Sequence, residues 1–246
     1  MSAVPRKQAG AQVDVFDQLV SGIVAGTWPP GSRLPAERDL ARQLGASRPT
    51  LREALRRLGE WGLIETRRSS GVVVCETREW SFDVLPAIMQ YGAGRFEGRK
   101  LLALVRDMTA LRRSLVADVL RLVGSRIPRG SLDGARAAAA RAFAARRDAA
   151  VFHHEDFEFI REIMSAADFL PGLFMMNTLG RTYLTLARTI TGAAMIPDDY
   201  LVSYEMVLAA LEKNDGEKAS AAMTKYLEEH DSRLLTALHV ALGQMK

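Results

Sequence analysis

Three arginines, Arg48, Arg52 and Arg56, fall four residues apart in the stretch SRPTLREALRRLGEWG. On a helix that spacing puts them on one face. An arginine fork can meet guanine O6 and N7 with two hydrogen bonds, each good pair discriminating by roughly 1–3 kcal/mol, and it suits phosphate oxygens equally well. Thr50 lies in the same first turn, where a hydroxyl and free backbone N–H groups can hold a phosphate. Arg38, upstream, is placed for phosphate or groove contact, and Arg67 and Arg68 sit together downstream, where they could enter a minor groove. The plain alternative is a solvated helix face, with Arg52 beside Glu53 and Arg56 beside Glu60 as surface pairs.

The elements that must position these side chains can be read in order. Val15, Leu19 and Ile23 stand at helical spacing and Gly26 stops the run. TWPPGSRLP breaks the chain, and AERDLARQLG then reads as a short helix capped by Gly45. Ser47 is a good N-cap for a second helix with Leu51, Leu55 and Leu58 as its apolar stripe. Two short helices around a tight glycine-containing turn are the helix-turn-helix pattern. LIET and GVVVCE, separated by RRSS, read as a hairpin, or wing, with the two arginines at its tip.

Charge agrees with this partition. The chain has 246 residues and a net charge of +4, yet residues 1–75 hold 11 Lys+Arg against 7 Asp+Glu, while the remainder holds 22 of each. The whole excess lies in the small N-terminal part, which points to an anionic partner there. From Ser81 onward no strand pattern is visible, and the chain divides into seven helices at 82–91, 98–123, 131–146, 150–166, 171–190, 199–213 and 216–243. The expectation is a mainly α protein: a winged helix-turn-helix domain at 1–75, a linker at 76–80 and an all-α seven-helix bundle at 81–246. The alanine-rich stretch ARAAAARAFAARR reads as a peripheral helix.

GTWPPGSRLPAERDLARQLGASRPTLREALRRLGEWGLIETRRSSGVVV resembles the DNA-binding domain of the GntR family of bacterial repressors, above all in PGSRLPAERDLA and SRPTLREAL. The resemblance implies that Arg38, Arg48 and Arg52 read bases and phosphates of a double-stranded operator, that Thr50 holds a phosphate, and that Arg68 at the wing tip enters the minor groove. Two positions depart from the pattern: Pro49 inside the recognition helix, and Ser69 where the wing commonly has glycine.

The helical remainder is similar to the effector domain of the FadR subfamily, carried by LRRSL, DFEFIREIMSAADFLPGLF and YEMVLAALEKNDGEKASAAMTKYLEEH. Many members of that subfamily bind a divalent metal through an aspartate, a histidine four residues on and two later histidines. Asp156 fits the first position, but Ile160, Tyr204 and Tyr226 occupy the others. One carboxylate without imidazoles is a poor transition-metal site, so no metal and no cofactor are expected. The replacements resemble the branch whose namesake answers to long-chain acyl-CoA, which implies a small organic effector, an acyl-CoA or another organic acid. Met164, Phe169, Leu170, Phe174, Met175 and Met176 offer an apolar lining, and Arg112, Asp156, Tyr204 and Tyr226 are the candidate ligand-binding residues. Leu227 and Leu234 stand where the acyl-CoA regulator has a glycine and a tryptophan, which narrows the entry for a thioester.

A second basic stretch, 121–147, has seven arginines and one acidic residue and reads as a solvated face. No nucleophile elbow, zinc-protease helix, P-loop or dinucleotide fingerprint appears, so no enzyme is expected. The rival reading is a metal-dependent sensor or enzyme built around Asp156 and His153. The single cysteine, Cys75, excludes an internal disulfide framework and reads as a buried strand residue. With no run long enough to span a membrane and no apolar leader, the chain is expected to be cytoplasmic, without a membrane partner. The whole reading is a ligand-responsive homodimeric regulator, a repressor, on an inverted-repeat operator.

Overall fold

The computed structural model of the chain describes residues 14–68, 71–92, 98–190 and 198–244. They fall into two compact units, divided after Arg95.

In the first unit, α1 (Val15–Ala25) starts at Asp14, whose carboxylate accepts from the Phe16 N–H, and ends at Gly26 in the left-handed conformation. Its stripe of Leu19, Ile23 and Val24 is fully buried. The short α2 (Glu37–Gln43) buries Leu40 and Ala41. After the turn, α3 (Arg48–Glu60) buries Leu51, Ala54 and Leu58 and packs on α1. Arg57 lies over the Phe16 ring at 3.7 Å, and Phe16 meets Trp61 edge-on at 4.8 Å.

Strands β1 (Ile64–Arg67) and β2 (Gly71–Val74) pair antiparallel, Ile64 opposite Val74 and Arg67 opposite Gly71. The proline-rich break carries more structure than its composition shows. Residues 31–34 run along β2, with Leu34 N–H donating to Val72 O at 2.9 Å and Val74 N–H to Ser32 O at 2.9 Å, so the wing has a third, short edge. Ser69 lies outside the described residues.

Residues 76–80, read as a linker, are instead a tied-down turn. Thr77–Glu79 is a 3-10 turn with a reciprocal Glu76/Glu79 capping box, Ser81 N–H donates to Trp61 O, and Trp80 Nε1 donates to Cys75 O. Gly62 makes this possible: its φ is +68°, and a Cβ there would lie 2.2 Å from the Glu79 carbonyl. After a second 3-10 turn at Phe82–Val84, α4 (Leu85–Tyr91) buries Ala87 and Ile88 and packs on α1. The helix read at 82–91 is therefore present but belongs with the winged helix.

The second unit contains, among the described residues, six helices and no strand: α5 (Gly98–Val123), α6 (Asp133–Ala144), α7 (Ala149–Ala166), α8 (Leu170–Ile190), α9 (Tyr200–Leu211) and α10 (Gly216–Gln244). α5 lies along α10, α6 along α7, and α9 bridges α10 and α6. Where α5 ends against the start of α10, a Cβ on Gly124 would fall 2.3 Å from Gly216 Cα, so only glycine permits this approach. The alanine helix is not peripheral. Ala135, Ala138, Ala139 and Ala142 are buried, because methyl side chains let α6 settle closely onto α7 and α9.

Candidate functional site

The start of α3 is built by Ser47, whose Oγ accepts from the Thr50 N–H at 3.3 Å and hydrogen-bonds the Thr50 hydroxyl at 2.8 Å. Pro49 falls in the first turn, where a missing N–H breaks no intrahelical bond, so this departure costs the helix nothing. Pro49 has no N–H and the Thr50 N–H is taken, which leaves that of Arg48 as the backbone donor of this turn. The Arg48 side chain and the Thr50 hydroxyl stand exposed at the same end.

The three arginines of the row are exposed, but their surroundings differ. Arg48 makes no ion pair with another described residue. Arg52 Nε donates to Glu37 of α2 at 2.9 Å. Arg56 is held between Glu53, at 2.6 Å, and Glu60; the hydrogen bond from Arg56 pulls the Glu53 carboxyl below its ordinary value and raises the guanidinium. Arg38 is 78% exposed, with only its neighbour Asp39 at 3.7 Å. On the wing, Arg67 is paired to Glu65 at 2.5 Å, whereas Arg68 is exposed and makes no ion pair with another described residue. Of the arginines singled out by sequence, Arg48 and Arg68 thus carry no ion pair with another described residue and Arg38 only the one with its neighbour. Cys75 is buried, and burial pushes its thiol up, with the Glu65 and Glu79 charges adding to this, so it is no reactive thiolate.

A second cluster lies inside the helical unit. Asp156 on α7 accepts hydrogen bonds from the hydroxyls of Tyr200, at 3.0 Å, and Tyr204, both on α9. Their rings stack at 4.0 Å, and Tyr226 of α10 meets Tyr204 edge-on at 5.3 Å. Burial first, then the Asp156 charge, pushes the phenols of all three tyrosines above their ordinary value, so they stay protonated, and those of Tyr200 and Tyr204 donate to Asp156. Ile160, one turn on, is core.

Arg112 on α5 donates to Asp231 of α10 at 2.6 Å and to the Tyr183 hydroxyl at 3.4 Å, and Arg113 donates to the other Asp231 oxygen at 2.8 Å. Burial pulls the Arg112 guanidinium down, but the Tyr183 and Asp231 oxygens outweigh it and leave the pKa above its ordinary value. The Arg112 Nε is buried without a hydrogen-bond partner. His230, stacked on Tyr226, is pulled down to about 4 by burial and by the Arg112 charge, so it is neutral at pH 7.

The structure brings Asp156, Tyr204 and Tyr226 together and sets Arg112 close enough for its charge to be felt by Tyr226 and His230. Tyr200, Asp231, Tyr183 and His230 complete the cluster and were not singled out by sequence. The i, i+4 repeats Tyr200/Tyr204 and Tyr226/His230 are the signal that could have found two of them. Of the proposed apolar lining, Met164 is buried, but Leu170 and Phe174 are 50% and 63% exposed and line no interior space. In the second basic stretch, Arg121, Arg136 and Arg141 are ion-paired to Glu217, to Glu205 and Glu212, and to Glu155. Among the described residues no three His, Cys, Asp or Glu side chains converge as metal ligands, and no helix is long and apolar enough to cross a membrane.

Comparison with known proteins gives this geometry a context. Residues 11–74 match the family described as bacterial regulatory proteins, gntR family, and residues 107–229 match the FCD domain. The chain is 28% identical over 243 residues to the HTH-type transcriptional regulator Mce2R of Mycobacterium tuberculosis, covering 97% of each chain. It is 30% identical over 118 residues to the fatty acid metabolism regulator protein of Pasteurella multocida, covering 48% of this chain and 47% of that one. Among solved structures, Lar, which controls expression of the Listeria monocytogenes agr system, shares the fold with a TM-score of 0.60 at 16% identity, over 93% of this chain and 98% of that one.

Proposed function

The chain belongs to the GntR family of bacterial regulatory proteins, in the group with an FCD effector domain, and from that premise we propose that it is a homodimeric cytoplasmic repressor released by a small organic acid. It is a transcriptional regulator with a winged helix-turn-helix, and the metal-dependent sensor or enzyme is not favoured. Two heads on a two-fold axis would read an inverted-repeat operator, since the protein's symmetry is mirrored in its half-sites.

The observation that carries the DNA assignment is Arg48: an exposed arginine without an ion-pair partner, beside Thr50, at the opening of α3. In this reading Arg48 contacts base edges, Arg38 and Thr50 take phosphates, Arg52 joins by releasing Glu37, and Arg68 enters the minor groove. Operator binding by Arg48→Ala and Arg56→Ala variants tests it. Arg48→Ala should lose specific binding while retaining nonspecific binding; equal loss of both removes Arg48 as a base reader.

For the effector, Arg112, whose buried Nε has no hydrogen-bond partner, offers a charged anchor, and Asp156, Tyr204 and Tyr226 offer hydroxyl and carboxylate groups among apolar core residues. The subfamily that fits is the FadR-like one, and the likeness to a fatty acid metabolism regulator supports an acyl-CoA or related acid. Release needs a coupling of roughly 1–3 kcal/mol between effector and operator. Thermal unfolding of the full chain against acyl-CoAs, fatty acids, small carboxylates and divalent metals tests this. Stabilisation by an acid supports it; stabilisation by metal alone overturns it.

A further inference from the structure

A third arginine belongs to the wing, and nothing in its sequence neighbourhood marks it. Arg33 lies in the proline-rich break and reaches the sheet through the short edge at 31–34, where it pairs antiparallel with Val73. Paired residues share a face of a sheet, and so do residues two apart on a strand. Arg33, Val73, Gly71, Glu65 and Arg67 therefore share one face of the wing, while the buried Ile64 and Val74 lie on the other.

The Arg33 side chain leans along this face instead of standing out from it. It runs from the level of Val73 to that of Gly71, two residues and about 7 Å nearer the turn. A Cβ on Gly71 would lie 3.0 Å from Arg33 Nη2, 3.1 Å from Nε and 3.4 Å from Cζ. Near-equal distances to three atoms of one planar group mean that the guanidinium lies flat over the glycine. A methyl group there would push against it, and the φ of Gly71, +71°, itself favours glycine. The fork is thus seated on backbone and not on an acid. Arg33 is exposed and makes no ion pair or side-chain hydrogen bond with another described residue. Arg67, on the same face, is already held by Glu65, so Arg33 and Arg68 are the cations the wing leaves uncompensated.

We propose that Arg33 is a second DNA contact of the wing, holding a backbone phosphate at the rim of the minor groove that Arg68 enters. This rests on the DNA reading of the head and extends it from the wing tip to the wing face. A tip inserted in a groove brings the phosphates of the groove wall beside the face of the hairpin. A guanidinium lying flat keeps its N–H edge outward, where two donors can meet two phosphate oxygens. Seating on Gly71 settles the side chain before DNA arrives, so little rotamer freedom is lost on contact. Such a contact positions the head without reading a base.

Because the contact is independent of sequence, a random-sequence duplex suffices as the probe, titrated with the full-length protein over a salt series. Arg33→Gln should reduce the slope of log affinity against log salt by about 0.9 and weaken binding by about eightfold at about 0.1 M salt. Arg33→Lys keeps the charge and should keep the slope. Equal loss in both variants marks a packing role on the wing face and overturns the contact. Arg33→Gln/Arg68→Ala should lose about twice the slope of either single variant, since two separate phosphate sites add. A double variant no weaker than Arg68→Ala means that Arg33 acts only through the tip, which also overturns it. Arg33→Gln with wild-type slope, beside a weakened Arg68→Ala, removes Arg33 and leaves the proposed function standing. A wild type that does not bind the duplex overturns both.

Discussion

Arg48 and Arg112 are the same side chain set in opposite surroundings. Arg48 stands in solvent at the opening of α3 with no ion pair, whereas Arg112 is largely buried against Asp231 and Tyr183. The surface guanidinium is available at no structural cost, because nothing in the fold depends on it. The interior one is bound up with stability: its carboxylate partner also holds Arg113, and removing that carboxylate leaves the Arg112 guanidinium without its counter-charge largely out of water. The proposed DNA site at the head and the proposed effector site in the bundle should therefore respond differently to mutation.

The largest effect is expected at Asp231. Asp231→Ala strands two arginines and should lower unfolding stability by about 3–5 kcal/mol, read from urea melts. Next comes pH. His230 is depressed from 6.5 to about 4, so the unfolded chain takes up the proton first. Its contribution is therefore present above pH 6.5 and lost as pH falls through about 4, by about 3 kcal/mol in all. The measurement is the difference in pH slope between wild type and His230→Phe, which should be flatter. Third, Arg48→Ala should cost about 1–3 kcal/mol of operator binding and leave stability within about 0.5 kcal/mol of wild type. A large stability loss there would erase the contrast between the two sites. Arg68→Ala should weaken binding nearly uniformly across sequences and reduce the slope of log affinity against log salt by about one. Smallest of all is Arg56→Ala: held by Glu53 and Glu60, it should leave operator affinity unchanged.

What sequence could show follows the same division. Ser47, Gly26 and the buried leucines of α3 are local signals, with causes inside one turn of helix, and they put Arg48, Arg52 and Arg56 on one exposed helix. Which arginines are free is not local. Arg52 is held by Glu37, fifteen residues away, and nothing in the spacing of the row reveals it. Residues 31–34 reach β2 through backbone groups alone, so side-chain composition carries no trace of that edge. In the bundle, Asp156 and Tyr204 meet across 48 positions and Arg112 and Asp231 across 119, contacts that only the tertiary fold creates. Apolar periodicity identified the helix at 82–91 without showing which partner it covers.

That helix has a practical consequence. Since α4 covers part of α1, and Gly62 lets the Glu76–Ser81 turn lie against the end of α3, the smallest self-sufficient fragment of the head runs on to Tyr91. A fragment cut at Cys75 would bare the apolar flank of α1 and tend to aggregate, however completely it retained the residues proposed to face the operator.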